Sequence, residues 1–224
     1  MIKGKHHVAQ LDLNPSEDFT REMPKAEVLL LACGALAREI VHLAERAQPA
    51  IFAIQCLPAK WHNTPQFIVP ALREKIRENK NKYRKLFVLY GDCGTGGLLD
   101  RMLAEEGVER IAGPHCYSFY AGNANFAATA DQDMTSFFLT DYLVRHFDKL
   151  MWEGLGLDRH PELLHDYFGN YTKLIYLAQT EDQALQAKAR DAAGQLNLEY
   201  EYRFTGYGEL AGDIASLAVT QARP

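Results

Sequence analysis

Four cysteines each follow an apolar run that predicts a β-strand. Cys33 follows residues 28–32, Cys56 follows 51–55, Cys93 follows 86–90 and Cys116 follows 110–113. In an open parallel α/β sheet, ligands bind outside the carboxyl ends of the strands. Thiols gathered at that edge predict a metal or thiolate site assembled from separate strands. Cysteine is also among the most buried residue types, so packing in the core is the alternative interpretation of each one.

Two histidines accompany these cysteines. His62 lies just before a predicted helix start, at the rim where the cysteines should gather, although a histidine on a surface loop is the alternative interpretation. His115 and Cys116 are adjacent, and neighbouring side chains of an extended chain point to opposite faces. Only one of the two is therefore expected to bind the same metal, and we favour Cys116.

The donor types limit which metal such a site would hold. Soft thiolates with an imidazole select zinc or an iron–sulfur cluster over magnesium or calcium. The spacing is not that of a zinc finger, which needs close Cys-x-x-Cys pairs, nor that of the short-spaced ferredoxin motifs. Ligands scattered along the chain indicate a preformed crevice, which is more typical of a catalytic or substrate-binding site than of a structural zinc site.

Glycines lie beside two of the thiols. Cys33 and Gly34 lie between a predicted strand and a helix, where the helix dipole favours a thiolate and a glycine permits close approach of a ligand. Residues 90–97 form a glycine-rich loop that includes Gly94 and matches neither the P-loop nor the dinucleotide-binding pattern. We therefore expect its glycines to fold the backbone tightly around Cys93 and a bound ligand, with anion binding as the alternative.

Two carboxylates lie near these positions. Glu39 is in the first predicted helix and Asp92 precedes Cys93. Either could act as a general base or orient a metal ligand by a hydrogen bond, and a solvated carboxylate is the alternative interpretation of both. The chain has no Gly-x-Ser-x-Gly motif, so a serine hydrolase site has no local support.

The elements that must position these residues alternate along the first half of the chain. Apolar runs and amphipathic segments predict strands at 27–32, 51–55, 86–90 and 109–113, with helices at 35–47, 64–83 and 97–106 between them. This order implies parallel strands joined by right-handed crossovers. We predict an α/β fold with a Rossmann-like, mostly parallel sheet and helices on both faces.

The second half is less regular but ends in the same pattern. A strand is predicted at 136–139, followed by Thr140, which should cap a helix over 141–152; one longer helix through both segments is the alternative. A short helix is expected at 161–168. Strands at 174–178 and 199–204 flank an alanine-rich helix at 184–196, which predicts a C-terminal β-α-β extension. The turn that follows contains Tyr207, which could contact a ligand. The expected organisation is an arm or edge strand over 1–25, a site-bearing lobe over 26–130, and a helical segment with the β-α-β lobe over 131–224.

Composition excludes several classes of protein. The 224 residues carry a formal net charge of −5, whereas a nucleic-acid-binding domain is usually strongly basic. No apolar stretch is long enough to span a bilayer, and the N-terminus lacks the apolar core of a signal peptide. We therefore expect a cytoplasmic protein whose thiols are reduced, with a small-molecule substrate and no nucleic-acid or membrane partner.

Several motifs resemble an uncharacterised family of bacterial and archaeal proteins. They are Ala32-Cys33-Gly34 with Glu39, Leu57-Pro58, His62-Asn63-Thr64-Pro65, Tyr90-Gly91-Asp92-Cys93-Gly94, His115-Cys116, Leu139-Thr140-Asp141, Gly154-Leu155-Gly156-Leu157-Asp158 and Tyr167-Phe168-Gly169-Asn170-Tyr171. The resemblance covers most of the chain from about residue 26. It implies a metal site formed by Cys33, His62, Cys93 and Cys116, outside which Cys56 falls. It also implies a role beside corrinoid-dependent methyltransferase systems, with a corrinoid protein or a methyltransferase as partner.

Three hypotheses follow. The first is a zinc–thiolate protein, such as a metal-dependent methyltransferase or hydrolase, that acts on a methylated small molecule or a thiol in one-carbon metabolism. The second is a non-catalytic iron–sulfur or other metal-binding accessory protein for a corrinoid methyltransferase system. The third is a metal-free thiol enzyme with Cys33 or Cys93 as nucleophile and His62 as base.

Overall fold

A computed structural model of the protein describes residue 11 and residues 13–221. By its internal contacts the chain divides into two compact units, one comprising residues up to His115 together with those from Leu210 onward, the other Cys116–Glu209. The strands are β1 (Phe19–Arg21), β2 (Val28–Cys33), β3 (Phe52–Leu57), β4 (Lys85–Leu89), β5 (Glu109–Arg110), β6 (Ser136–Thr140), β7 (Lys173–Ala178) and β8 (Glu199–Phe204).

Helices connect these strands. The α-helices are α1 (Ala37–Ala47), α2 (Ile68–Asn79), α3 (Leu98–Glu106), α4 (Cys116–Ala121), α5 (Asn123–Ala128), α6 (Asp141–Arg145), α7 (Leu164–Phe168), α8 (Gln183–Gln195) and α9 (Gly208–Gln221). Short 3₁₀ turns occur at Gly34–Leu36, Ala59–Asn63, Pro65–Phe67 and Pro161–Leu163, and a π-helical turn at Asp148–Trp152. Among the described residues, no helix is both long and apolar enough to cross a lipid bilayer.

The first unit is built on a five-stranded sheet with the order β1-β3-β2-β4-β5. The strands β2 to β5 are parallel neighbours, as their alternation with helices predicts, and β1 pairs antiparallel with β3 at the edge. The predicted arm or edge strand over 1–25 thus contains β1, whereas residues 1–10 and 12 lie outside the described part. The carboxyl ends of β2, β3, β4 and β5 lie at one edge of this sheet.

One face of this sheet carries a continuous apolar cluster. Alternate residues of β2, including Leu29 and Leu31, pack with residues of β3 and β4 and with the buried sides of α2 and α3. The central strand β2 is apolar at every position, as expected for a strand covered on both faces. The packing of α2 and α3 on this face fixes where the segments that precede these helices can lie, and both predicted ligands His62 and Cys93 are in those segments.

The second unit contains a three-stranded parallel sheet with the order β6-β7-β8. The predicted β-α-β extension therefore joins a separate sheet with β6. The carboxylate of Asp141, which is 0% exposed, accepts hydrogen bonds from the Tyr176 hydroxyl at 2.7 Å, the Gln179 N–H at 2.9 Å and the Thr180 hydroxyl at 2.6 Å. These bonds join the carboxyl ends of β6 and β7.

Several element boundaries differ from those predicted. The helix after Thr64 begins with a 3₁₀ turn, Thr64 makes no side-chain cap, and α2 ends at Asn79. Thr140 does cap α6, but α6 ends at Arg145, and the bond from the Glu153 N–H to the Asp148 carbonyl widens the next turn into a π-helix.

The segment after β5 differs most from the elements that the sequence predicts. β5 ends at Arg110, whose guanidinium donates to the carbonyl oxygens of Ile111 and Gly113 in the segment that follows, each at 2.9 Å. Residues 116–128, for which the sequence pattern predicted no element, form α4 and α5. Cys116 therefore begins a helix instead of following a strand directly.

A buried ion pair in the second unit provides a pH-dependent test of this fold. Arg203 binds both oxygens of Asp133, at 2.6 and 2.8 Å, and this contact lowers the pKa of the buried Asp133 carboxyl. A carboxyl with a lowered folded-state pKa stabilises the protein above its unfolded pKa of about 3.9, and this stabilisation is lost as the pH falls through the folded value.

We expect Asp133→Asn to lower the free energy of unfolding at pH 7 by about 1–2 kcal/mol. The difference from wild type should shrink as the pH falls below about 4, because the unfolded state then gains a proton that the paired Asp133 carboxylate of the folded state resists. Urea unfolding over this pH range measures it, with the exposed neighbour Asp131→Asn as the matched control. A constant difference down to pH 3 would contradict the assigned pair.

Candidate metal centre

Three side chains of the first unit bring potential metal-ligand atoms together. One ligand atom each of His62, Cys93 and His115 lies within 4.8 Å of the other two. The two imidazole rings meet edge to face, with centroids 5.4 Å apart and an angle of 88° between the rings. The Cys93 residue is 9% exposed, and both histidines are half-buried. The three residues come from three segments that follow β3, β4 and β5.

His62 lies in the 3₁₀ turn Ala59–Asn63, directly after β3. This turn lies against the start of the helical segment that follows β2. A Cβ on Gly34 would lie 3.0 Å from the Leu57 carbonyl oxygen and 3.3 Å from the Ala59 nitrogen. Gly34 therefore allows the two strand-end segments to approach each other closely, which supports the turn that carries His62.

Cys93 lies at the turn after β4 in a left-handed backbone conformation, with φ of 46°. This conformation costs a residue with a Cβ roughly 1–2 kcal/mol, and such strain often occurs at functional sites. Gly94, Gly96 and Gly97 also have positive φ angles of 81°, 61° and 78°. The glycines therefore let the backbone fold tightly beside Cys93, in the way the sequence indicated.

Asp92 holds this loop in place. Its carboxylate accepts hydrogen bonds from the Thr95 hydroxyl at 2.7 Å, the Gly97 N–H at 2.8 Å and the Gly96 N–H at 3.1 Å. The Thr95 hydroxyl first, and then these backbone groups, lower the pKa of Asp92. A carboxylate held in its ionised form by three donors is suited to ordering the loop, which is different from the general-base role considered for it.

His115 is placed by a backbone contact with the same loop. A Cβ on Gly91 would lie 2.7 Å from the His115 Cα and 2.9 Å from its nitrogen, so only glycine fits there. The Asp92 N–H also donates to the Pro114 carbonyl at 3.0 Å. Burial lowers the pKa of His115; a negative charge on Cys93 would oppose this and the neighbouring His62 reinforces it. The neutral imidazole that results is the form that binds metals.

Arg110 braces the segment that carries His115, and the sequence reasoning missed it. Its guanidinium donates to the carbonyl oxygens of Ile111 and Gly113 at 2.9 Å and approaches that of Tyr90 at 3.4 Å. Asp100 of α3 holds the guanidinium through a pair of bonds at 2.5 and 3.1 Å. An arginine at the end of a short strand, ten residues after an aspartate, was the signal available in the sequence.

Cys33 and Tyr90 lie on the face of the sheet that carries α2 and α3. Burial raises the pKa of the Cys33 thiol to about 12, and a negative charge on Cys93 would raise it further. The Tyr90 hydroxyl is buried and forms no hydrogen bond of standard geometry, but it is near enough to Cys33 for a weak interaction that lowers the thiol's pKa. Cys33 is not one of the three residues whose ligand atoms converge.

Cys56 lies on the opposite face of the sheet. It pairs with Ala32 in the parallel register of β2 and β3, whereas Cys33 pairs with Leu57. Side chains alternate between faces along a strand, so Cys56 points away from the face that Cys33 shares with Leu57. Burial raises the pKa of Cys56 well above its ordinary value. These observations agree with its interpretation as a core residue.

The remaining predicted site residues lie elsewhere. Cys116 is the first residue of α4 in the second unit and is not among the three converging residues, whereas the adjacent His115 is. Glu39 is 3% exposed in the first turn of α1. Tyr207 is half-buried in the turn before α9, in the second unit. Direct roles for Cys116, Glu39 and Tyr207 stay predictions.

The three converging residues fit a metal ion. Tetrahedral zinc with bonds of about 2.3 Å to sulfur and 2.0–2.1 Å to nitrogen needs ligand atoms about 3.4–3.6 Å apart. Atoms within 4.8 Å of one another reach this spacing after shifts of about 1 Å, which side-chain rotation can supply. The set combines one thiolate donor with two imidazoles, all of which suit zinc. Three protein ligands leave a fourth coordination position for water or substrate, as in catalytic zinc sites.

The chain belongs to DUF1638, a family of proteins of unknown function, whose model matches residues 56–212. This range contains His62, Cys93, His115 and Cys116, whereas Cys33 and Glu39 precede it. No curated protein and no solved structure shows significant similarity to the chain. The uncharacterised family indicated by the motifs is thereby confirmed, and the family's description assigns no activity.

The contact between Gly91 and His115 can be tested by adding one methyl group. We expect Gly91→Ala to push the His115 backbone away, to lower the free energy of unfolding by about 1–3 kcal/mol and to weaken metal binding. Gly194→Ala is the control, because a Cβ there meets nothing within 4 Å and alanine should stabilise α8 by about 0.5–1 kcal/mol. Chemical unfolding and zinc titration measure both effects. Unchanged zinc affinity in Gly91→Ala would contradict the proposed position of His115.

Proposed function

We propose that this protein is a zinc-dependent enzyme whose His62, Cys93 and His115 hold the metal and leave one position for a substrate. The observation that carries the proposal is the convergence of three soft or borderline donor atoms from three separate segments within 4.8 Å of one another. When bound, zinc would activate a coordinated water or thiol, or polarise a carbonyl group.

The residues of the chain contribute three supporting features. The lowered pKa of His115 keeps its ring neutral and ready to donate a lone pair. The left-handed turn, ordered by Asp92, holds the Cys93 backbone in place without a metal. The buried Tyr90 hydroxyl lies near the Cys33 thiol and lowers its pKa, which partly offsets the effect of burial on that thiol.

Cys33 and Cys116 are the two candidates for a fourth metal ligand. Either thiol could supply a fourth donor, as the family resemblance implies. Cys33 is near enough to Cys93 for a negative charge on Cys93 to raise the pKa of the Cys33 thiol, and this proximity is the support for Cys33 in that role. A fourth protein ligand would close the metal site, whereas three ligands keep it open for chemistry.

We propose a methylated small molecule or a thiol as substrate, with a corrinoid protein or methyltransferase as partner in one-carbon metabolism. The support for this part is the family resemblance of the motifs together with the affinity of zinc for sulfur. A cytoplasmic location would keep the thiols reduced, as the site requires.

A metal-free thiol enzyme is the second candidate. The observation that favours it is the position of Cys93 beside two imidazoles, either of which could take its proton and activate the sulfur as a nucleophile. An iron–sulfur accessory protein has less support, because such clusters are held mainly by cysteine thiolates and only one thiol joins the convergent group.

Metal content tests these candidates. Protein purified without oxygen should contain about one zinc per chain, and Cys93→Ser or His115→Gln should weaken zinc binding by at least about 100-fold. Cys93→Gly is a second variant, since glycine adopts the left-handed turn without strain and keeps the loop folded. Cys56→Ser is the matched control and should retain zinc.

Other metal contents, and other results with these variants, would support a different candidate or refute the metal site. Iron with inorganic sulfide would support the accessory protein, and a metal-free protein whose Cys93 is rapidly alkylated would support the thiol enzyme. Loss of zinc in Cys33→Ser would show a closed four-ligand site and contradict the open coordination position. Full zinc content in Cys93→Ser or His115→Gln would refute the metal site.

A further inference from the structure

A groove runs between the first turns of α2 and α3 in the first unit. Its volume is about 560 Å³, which is within the range of roughly 300–1,000 Å³ typical of small-molecule sites. Its walls are mainly apolar, with Val69 and Pro70 on the α2 side and Leu98 and Met102 on the α3 side. The groove uses none of the three convergent ligands.

The groove begins beside the loops that carry two of these ligands. Gly94 and Pro65 both line it, and Gly94 directly follows Cys93. A Cβ on Gly94 would lie 3.4 Å from the Pro65 Cγ, so the two residues are close neighbours. Pro65 in turn is in the short segment that connects the turn bearing His62 with α2. A molecule in the groove would therefore have one end next to the ligand-bearing loops.

Two arginines and one glutamate also line the groove. Arg73 and Glu105 neutralise each other through a 2.6 Å ion pair. Arg101 has no ion pair or side-chain hydrogen bond among the described residues and lines the groove one helical turn from Leu98. Leu98 is 52% exposed, so its side chain presents apolar surface to the groove. The groove thus combines exposed apolar surface with one uncompensated positive charge.

We propose that this groove binds a small organic acid with an apolar chain, whose carboxylate pairs with Arg101 and whose chain packs on Val69, Leu98 and Met102. The proposal is independent of the proposed metal-dependent function, since none of the residues that line the groove is one of the three convergent ligands. Apolar contact supplies most of the affinity, and the guanidinium selects for the negative charge.

The test compares hexanoate with hexanamide, which has the same chain and no charge. Both are titrated into zinc-loaded and zinc-free protein while the methyl signals of Val69, Leu98 and Met102 are followed by NMR. Hexanoate should shift these signals and bind more tightly than hexanamide. Arg101→Gln should weaken hexanoate binding about fivefold, as expected for one exposed charge pair, and leave hexanamide unchanged. Arg46→Gln, an exposed arginine of α1, is the matched control.

The outcomes separate this inference from the metal site. Equal binding of the acid and the amide, an unchanged hexanoate affinity in Arg101→Gln, or shifts confined to methyl groups outside the groove would each overturn it. Arg101-dependent binding in zinc-loaded and zinc-free protein alike would establish the groove. Failure of the protein to take up zinc would refute the proposed function, and the groove would then be judged by its hexanoate binding alone.

Discussion

The close packing of the Gly91 backbone against the His115 backbone is the constraint on which the candidate site depends. It brings the segment after β4 into direct contact with the segment after β5, although β5 itself is only two residues long. The bond from the Asp92 N–H to the Pro114 carbonyl and the guanidinium of Arg110 hold the same two segments together. Without this contact, Cys93 and His115 would belong to two independent loops.

The loop that carries Cys93 has an unfavourable backbone conformation at Cys93 and strong hydrogen bonds to the Asp92 carboxylate. A left-handed cysteine is unfavourable by itself, whereas the ionised Asp92 stabilises the following turn through charge-assisted hydrogen bonds, which are stronger than neutral ones. The net effect is a Cys93 backbone whose position is set by the fold and not by a metal. Such preorganisation lowers the free-energy cost of assembling a site when the ligand binds.

Much of the first unit could be predicted from the sequence, because the apolar runs and the helices between them leave few alternatives to a parallel sheet. The position of the site at the carboxyl edge, and the participation of His62 and Cys93, follow from the same topology. The choice between His115 and Cys116 could not be made this way. The alternation rule applies to an extended strand, but β5 ends at Arg110, Gly113 takes a φ of 130° and α4 begins at Cys116, so His115 and Cys116 are not in a strand.

The pleat of the sheet explains why Cys33 and Cys56 have different environments. In β2 and β3, residues that pair across the parallel register share a face, so Cys33 lies with Leu57 over α2 and α3, and Cys56 lies with Ala32 on the other side. The face with Cys33 also carries the segments that place His62 and Cys93, and the groove opens between its two helices. Because this face carries Cys93, the buried Tyr90 hydroxyl and the groove, one layer of helices packs beside both part of the candidate metal site and the proposed acid-binding groove.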